Sequence, residues 1–168
     1  MKRASSQSWS DGDKKSEEAC LDAALRYLGY RARSEAELRK HLQKRGFSDE
    51  RVEQVLLKLR EKGFADDSAF AKSWMENREC FSPRSRALLR SELRAKGIDA
   101  EIIAEVTDGI DERSSAYTAA QKKARGLSTL DHDVFRNKLF GFLRRRGFGY
   151  DVSASTVNQM WQERAEGR

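Results

Sequence analysis

Proline is almost missing from this 168-residue chain, which has only Pro83. Such scarcity, with 38% hydrophobic and 36% charged residues, suits helices that each bury a narrow stripe and leave most of their surface wet. Cysteine is nearly as rare. Cys20 and Cys80 lie far apart and outside any Cys-x-x-Cys, so neither a disulfide framework nor a zinc site is indicated, and both are expected to be free, buried thiols in a reducing cytosol. No run approaches the roughly 20 apolar residues of a membrane helix. Residues 1–15, made of Ser, Asp and Lys around a lone Trp9, lack the apolar stretch of a signal peptide and are expected to form a disordered tail. The expectation is a soluble, cytoplasmic protein.

Catalytic signatures are missing too. There is no phosphate loop, Gly-x-Ser-x-Gly elbow, His-Glu-x-x-His or Gly-rich dinucleotide turn. His41 and His132 stand in different parts of the chain without neighbours at metal-ligand spacing, and both read as solvated helix residues. Asp66-Asp67 reads as helix capping rather than as a carboxylate pair. Neither an enzyme nor a cofactor or metal is expected.

What is present is a pattern spelled three times: Leu38-x3-Leu42-x3-Gly46-Phe47, Leu89-x3-Leu93-x3-Gly97-Ile98 and Leu139-x3-Leu143-x3-Gly147-Phe148. Leucines four apart stack on one helix face, and the Gly arrives where a left-handed C-cap would end the helix. The copies begin 51 and 50 residues apart, the spacing of a repeat architecture. The sequence therefore predicts an all-α protein of three tandem three-helix repeats, residues 16–62, 63–110 and 111–168, stacked as an elongated, curved helical solenoid.

In the first repeat a helix over 17–30 should bury Leu21, Leu25 and Leu28. A second from Glu35 to about Arg45 follows the Ser34/Glu37 capping box, and a third, capped by Ser48, carries Val52, Val55, Leu56 and Leu59 up to Gly63. In the second, Asp66 or Asp67 caps a helix that turns Phe70 and Trp74 inward. Ser82-Pro83 then starts a helix to Lys96, and Asp99 caps one bearing Ile102, Ile103, Val106 and Ile110. The third has helices over 111–125 and 134–146 joined by a loop over 126–131. It ends in a fraying helix with Val152, Val157, Met160 and Trp161 as its stripe, since Gly149, Ser153, Ser155 and Thr156 lower propensity. Phe47, Phe64 and Phe148, each after a glycine, should pack on the preceding helix, and Trp74 and Trp161 should be core.

The formal net charge of +6 favours an acidic partner, and its distribution says more. Arg84, Arg86, Arg90, Arg94 and Lys96 are opposed only by Glu92, and Arg136, Lys138, Arg144, Arg145 and Arg146 by no acid. The helix after Gly97 is acidic, with Asp99, Glu101, Glu105 and Asp108. Arg86, Arg90 and Arg94 form one stripe, as do Arg39, Lys40 and Lys44. If the middle helices face alike, these stripes join into a basic ridge. Arg90, Arg94, Lys96, Arg144, Arg145 and Arg146 are the principal candidates for contact with phosphates or carboxylates, supported by Arg39, Lys40, Lys44 and Arg45.

Gly63-Phe-Ala-Asp-Asp-Ser-Ala-Phe-Ala-Lys-Ser-Trp-Met-Glu-Asn-Arg78, followed by the Leu89–Gly97 and Leu139–Phe148 repeats, resembles the RecX family of bacterial regulators of the RecA recombinase. The likeness covers roughly Glu17 to Glu163, with Ala65 standing where family members often carry a larger apolar residue. It implies three three-helix repeats that bind the groove of the RecA nucleoprotein filament on DNA, as a monomer, reducing ATP hydrolysis, strand exchange and repressor co-cleavage without catalysis. Weak, nonspecific DNA affinity is also expected. A direct DNA-binding helical protein is the alternative, although its recognition helix in the second repeat would be the acidic one.

Overall fold

The computed structural model describes residues 11–166, with side chains from 17 to 165. Residues 1–10 of the expected tail lie outside that range. Among the described residues the chain is all-helical, with nine helices: α1 (Asp11–Leu28), α2 (Glu35–Lys44), α3 (Asp49–Glu61), α4 (Asp67–Phe81), α5 (Arg86–Ala95), α6 (Ala100–Thr107), α7 (Glu112–Arg125), α8 (His132–Arg145) and α9 (Tyr150–Glu166). They form two compact units, one reaching to Phe70 and the other beginning at Ala71.

The thrice-repeated pattern works through its backbone. At Gly46, Gly97 and Gly147 φ is 86°, 77° and 86°, the left-handed region that glycine enters without a Cβ penalty. The turn lets the amide after each Gly reach back to the carbonyl of the second Leu: Phe47 N to Leu42 O (3.3 Å), Ile98 N to Leu93 O (3.1 Å), Phe148 N to Leu143 O (3.3 Å). The Gly amides bond Gln43, Arg94 and Arg144 carbonyls at 2.9–3.0 Å, completing a Schellman closure. Each pair of leucines is buried, so one motif both ends the helix and supplies its core face.

In the first unit, the core joins Cys20, Ala23 and Ala24 of α1 to Leu38 and Leu42 of α2, Val52, Val55, Leu56 and Leu59 of α3, and Ala65. The face of α1 differs from the expected leucine stripe. Its small residues point inward, Leu21 and Leu28 pack at the rim, and Leu25 is exposed. The narrow face leaves room for the four aliphatic side chains of α3. The Ser34/Glu37 capping box forms as expected. Ser48 occupies the N-cap of α3 but makes no side-chain capping bond. Asp66 caps α4 through Ala69 N (2.9 Å), whereas Asp67 accepts from Glu35 N (2.9 Å) and so ties the start of α4 to that of α2. Burial is the main cause that pushes the Asp67 carboxyl above its ordinary range. Phe47 packs on the core, but Phe64 is 55% exposed, contrary to the expected packing.

In the second unit α5 starts at Arg86, later than the Ser82-Pro83 signal suggests. Ser85 is the cap: its hydroxyl accepts from Leu88 N (3.2 Å), four residues before Leu89, as Ser34 stands four before Leu38. Its own amide donates to Arg146 O (3.0 Å), and it is buried because Gly147 lies against it. A Cβ at Gly147 would come within 2.5 Å of Ser85 Oγ and 2.9 Å of Leu88 Cβ. The C-terminal end of α8 and the N-terminal end of α5 are thereby seated together. Ala116, Ala119 and Ala120 of α7 with Phe135, Leu139 and Leu143 of α8 make a further core with Phe148, Val157 and Met160. The final helix does not fray as expected: it runs unbroken to Glu166 with Ser153 and Thr156 buried. Small polar residues serve there because Ser153 Oγ donates to Phe148 O (3.4 Å). Trp161 packs on this core half-buried, and Trp74 is likewise only half-buried. Cys20 is buried as expected, but Cys80 is exposed.

Candidate functional site

Middle helices α2, α5 and α8 each present cations, and the structure divides them into engaged and open groups. On α2, Arg39 is engaged: its guanidinium donates twice to Glu53 (2.7 and 3.1 Å), a bond that holds the Glu53 carboxyl below its usual range. Lys40, Lys44 and Arg45 are exposed and unpaired among the described residues. Two further arginines of this unit close onto acids, Arg31 on Glu37 (2.8 Å) and Arg60 on Glu35 (2.6 Å).

His41, expected to be simply solvated, instead stacks on Tyr27 with ring centroids 3.9 Å apart and planes 4° from parallel. Arg33 also lies against the Tyr27 ring, at 3.9 Å. Burial first, then Arg45 and Arg33, push the imidazole pKa down, so neutral His41 is favoured here.

The α5 stripe is not a free surface. Arg86 donates to Ile110 O (2.9 Å) and its amide to Glu112 (2.9 Å), while Arg90 Nε donates to Thr107 Oγ1 (2.8 Å), whose hydroxyl donates in turn to Ile103 O (2.7 Å). These two arginines join α5 to α6 and the start of α7. Arg94 is exposed, and Lys96 sits over the Trp74 ring at 5.0 Å. Glu92, the lone acid among the α5 cations, is a hub: Trp74 Nε1 (2.9 Å), Arg78 Nε (2.9 Å) and Arg84 all donate to it. In the sequence Glu92 stands out only as an opposing charge, and nothing there marks the part of Arg78, one turn beyond Trp74 on α4.

On α8, Arg144 is exposed while its guanidinium donates to Phe148 O (2.6 Å), closing the helix end. Arg145 is exposed. Arg146, a principal candidate of the expected ridge, is half-buried: its guanidinium donates to Ser82 Oγ (2.9 Å) and Pro83 O (3.0 Å) and covers Phe142 at 4.5 Å. Lys123, Asn137, Lys138 and Arg145 line a shallow hollow of about 360 Å³, to which Lys123 is an addition the sequence did not suggest. Gly141 makes room there, since a Cβ would meet the Arg145 guanidinium at 3.3 Å. Such open guanidinium and ammonium groups can take phosphate or carboxylate oxygens. Among the described residues no group of His, Cys, Asp and Glu could hold a metal, and no helix is long and apolar enough to cross a membrane.

Comparison with known proteins adds the following. Residues 20–59 match the model of the RecX first three-helix domain, 66–106 the second and 111–155 the third. The chain is 38% identical over 147 residues to the regulatory protein RecX of Chlorobaculum tepidum, covering 88% of this chain and 90% of that protein. To the regulatory protein RecX of Amycolatopsis mediterranei it is 33% identical over 153 residues, covering 89% and 85%. The fold superposes on the crystal structure of RecX from Lactobacillus salivarius with a TM-score of 0.71, at 22% identity over 88% of this chain and 97% of that one.

Proposed function

The chain belongs to the RecX family, and from that premise we propose that it is a non-enzymatic modulator, mainly an inhibitor, of the RecA recombinase. It binds the groove of the RecA–DNA filament as a cytoplasmic monomer and lowers ATP hydrolysis, strand exchange and repressor co-cleavage. Each repeat, residues 16–62, 63–110 and 111–168, offers a cationic middle helix to the filament. The observation that carries this reading is the set of exposed cations on all three: Lys40, Lys44 and Arg45, then Arg94, then Arg144 and Arg145. Arg144 stays exposed despite its bond to Phe148 O, whereas Arg39, Arg90 and Arg146 are half-buried on internal partners and play a supporting, positioning part. Regulation by binding is consistent with the missing catalytic motifs.

The test is RecA ATP hydrolysis on single-stranded DNA with this protein titrated in, and binding to bare DNA measured at the same salt. Inhibition well below the concentration that coats bare DNA is expected. Inhibition that appears only once bare DNA is saturated would replace this reading with competition for DNA by a helical DNA-binding protein. Against that alternative stands α6, with Glu101 and Glu105 exposed and Asp99 at its cap, since an acidic helix does not enter a groove lined by phosphate.

A further inference from the structure

Two guanidiniums close on one carboxylate in the second unit, and a third lies near them. Arg78 and Arg84 both donate to Glu92, whose side chain is 13% exposed, while their own side chains are 23% and 30% exposed. Arg146 reaches the same region from the end of α8, anchored on Ser82 Oγ and Pro83 O. Among the described contacts one acid faces two of these cations while the third is held only by neutral acceptors, so positive charge is in excess in a half-buried place. A purely structural clamp would be better served by balanced charge, because partly desolvated like charges repel more strongly than they do in water. That repulsion is felt: burial, then Arg78 and Arg146, lower the Arg84 pKa, and burial, then Arg78, lower that of Arg146.

We propose that Arg78, Arg84 and Arg146 form a phosphate-binding cluster for a nucleic-acid backbone, with Glu92 holding two of the guanidiniums in place while the phosphate is absent. A guanidinium has five N–H donors, and the contacts of these three side chains use only some of them. The cations come from three separate elements, α4, the segment before α5 and the end of α8, so their donors converge from different directions. The non-bridging oxygens of a phosphodiester group accept such charge-assisted donors as the Glu92 carboxylate does, and their tetrahedral array lets donors approach from outside one plane. Lys96, over the Trp74 ring that Arg78 also covers, adds a further cation beside the cluster. Several cations gathered at one place suit a polyanion with closely spaced charges better than one acidic side chain. The cluster deepens the DNA-contacting side of the proposed function but does not require RecA, so the two can fail separately.

The test measures binding of a fluorescein-labelled single-stranded oligonucleotide to the full chain by anisotropy over a series of KCl concentrations, with no RecA present. Arg84→Gln should lower affinity several-fold and reduce the slope of log K against log salt by about 0.7, one phosphate contact. Arg26→Gln, which removes the same charge from an exposed pair with Asp22 in the first unit, should do much less. Glu92→Gln gives a result of opposite sign: it removes the competing carboxylate and should tighten oligonucleotide binding even as it lowers the melting temperature. Equal losses in Arg84→Gln and Arg26→Gln, or weaker binding in a Glu92→Gln protein that circular dichroism shows to be folded, would overturn the proposal. So would an Arg84→Gln protein that keeps its oligonucleotide affinity but loses affinity for a polyglutamate peptide, which would assign the cluster to an acidic protein partner.

Discussion

Single residues show how much one sequence sign can conceal. Gly46 and Gly147 occupy the same place in the repeated pattern with the same φ of 86°, yet a Cβ at Gly46 meets nothing within 4 Å, whereas one at Gly147 strikes Ser85 and Leu88. Gly46→Ala should therefore cost only the left-handed strain, about 1–2 kcal/mol. Gly147→Ala should cost more, by the roughly 1–3 kcal/mol of an overpacked contact, and urea denaturation of the two variants separates them. His41 gives a pH dependence. Its folded pKa lies below the unfolded value, so on acidification the unfolded chain binds the proton first, and stability falls as pH drops below about 6.5. Melting followed from pH 7.5 to 5.5 should show that fall, and His41→Asn should flatten the part of it due to this ring. Trp74 is a half-buried donor to Glu92 rather than a core ring, so Trp74→Phe should lose mainly that bond to a charged acceptor, about 1.5–3 kcal/mol. A melt unchanged from the parent would show that the bond contributes nothing.

Helices are the scale at which the sequence was most legible. Leu-x3-Leu-x3-Gly specifies a buried face and its stop together, and all three copies fold that way. The errors fall where a local signal competes with tertiary contact. Ser82-Pro83 carries the propensity of a helix start, but Ser85 is held by Leu88 N and by Arg146 O, and Ser82 Oγ is taken up by Arg146. Likewise the serines and threonine of α9 lower intrinsic propensity, but burial against Phe148 and the α7–α8 core stabilises the helix they sit in. The caps can be ranked accordingly. Ser85→Ala should cost about 1–2 kcal/mol because the hydroxyl caps α5 and is buried, whereas Ser48→Ala, at an N-cap without a side-chain bond, should shift stability by no more than a few tenths. Chemical denaturation of both would show whether the hydroxyl bond or the N-cap position sets the cost.

For the whole molecule, the +6 net charge was readable from the sequence, but which cations remain available was not, because that depends on acids distant in the chain. Arg39 finds Glu53, Arg31 finds Glu37 and Arg60 finds Glu35, while Lys40, Lys44 and Arg45 find none among the described residues. The distinction gives a prediction that net charge alone cannot mimic. Three triple variants to glutamine each remove the same formal charge: Lys40, Lys44 and Arg45 in the first unit; Arg94, Arg144 and Arg145 in the second; and the paired Arg31, Arg39 and Arg60. If long-range attraction governs association, all three should slow it alike and lose that effect above physiological salt, where the Debye length falls below about 8 Å. If contact at the open cations governs the complex, the first two should raise the concentration needed to inhibit RecA ATP hydrolysis well beyond the third. The paired triple, which exposes three carboxylates, should mainly lower the melting temperature of the first unit. Because the two open sets lie on separate units, their effects on binding free energy should add when combined, and a strong departure from additivity would mean that one surface orders the other.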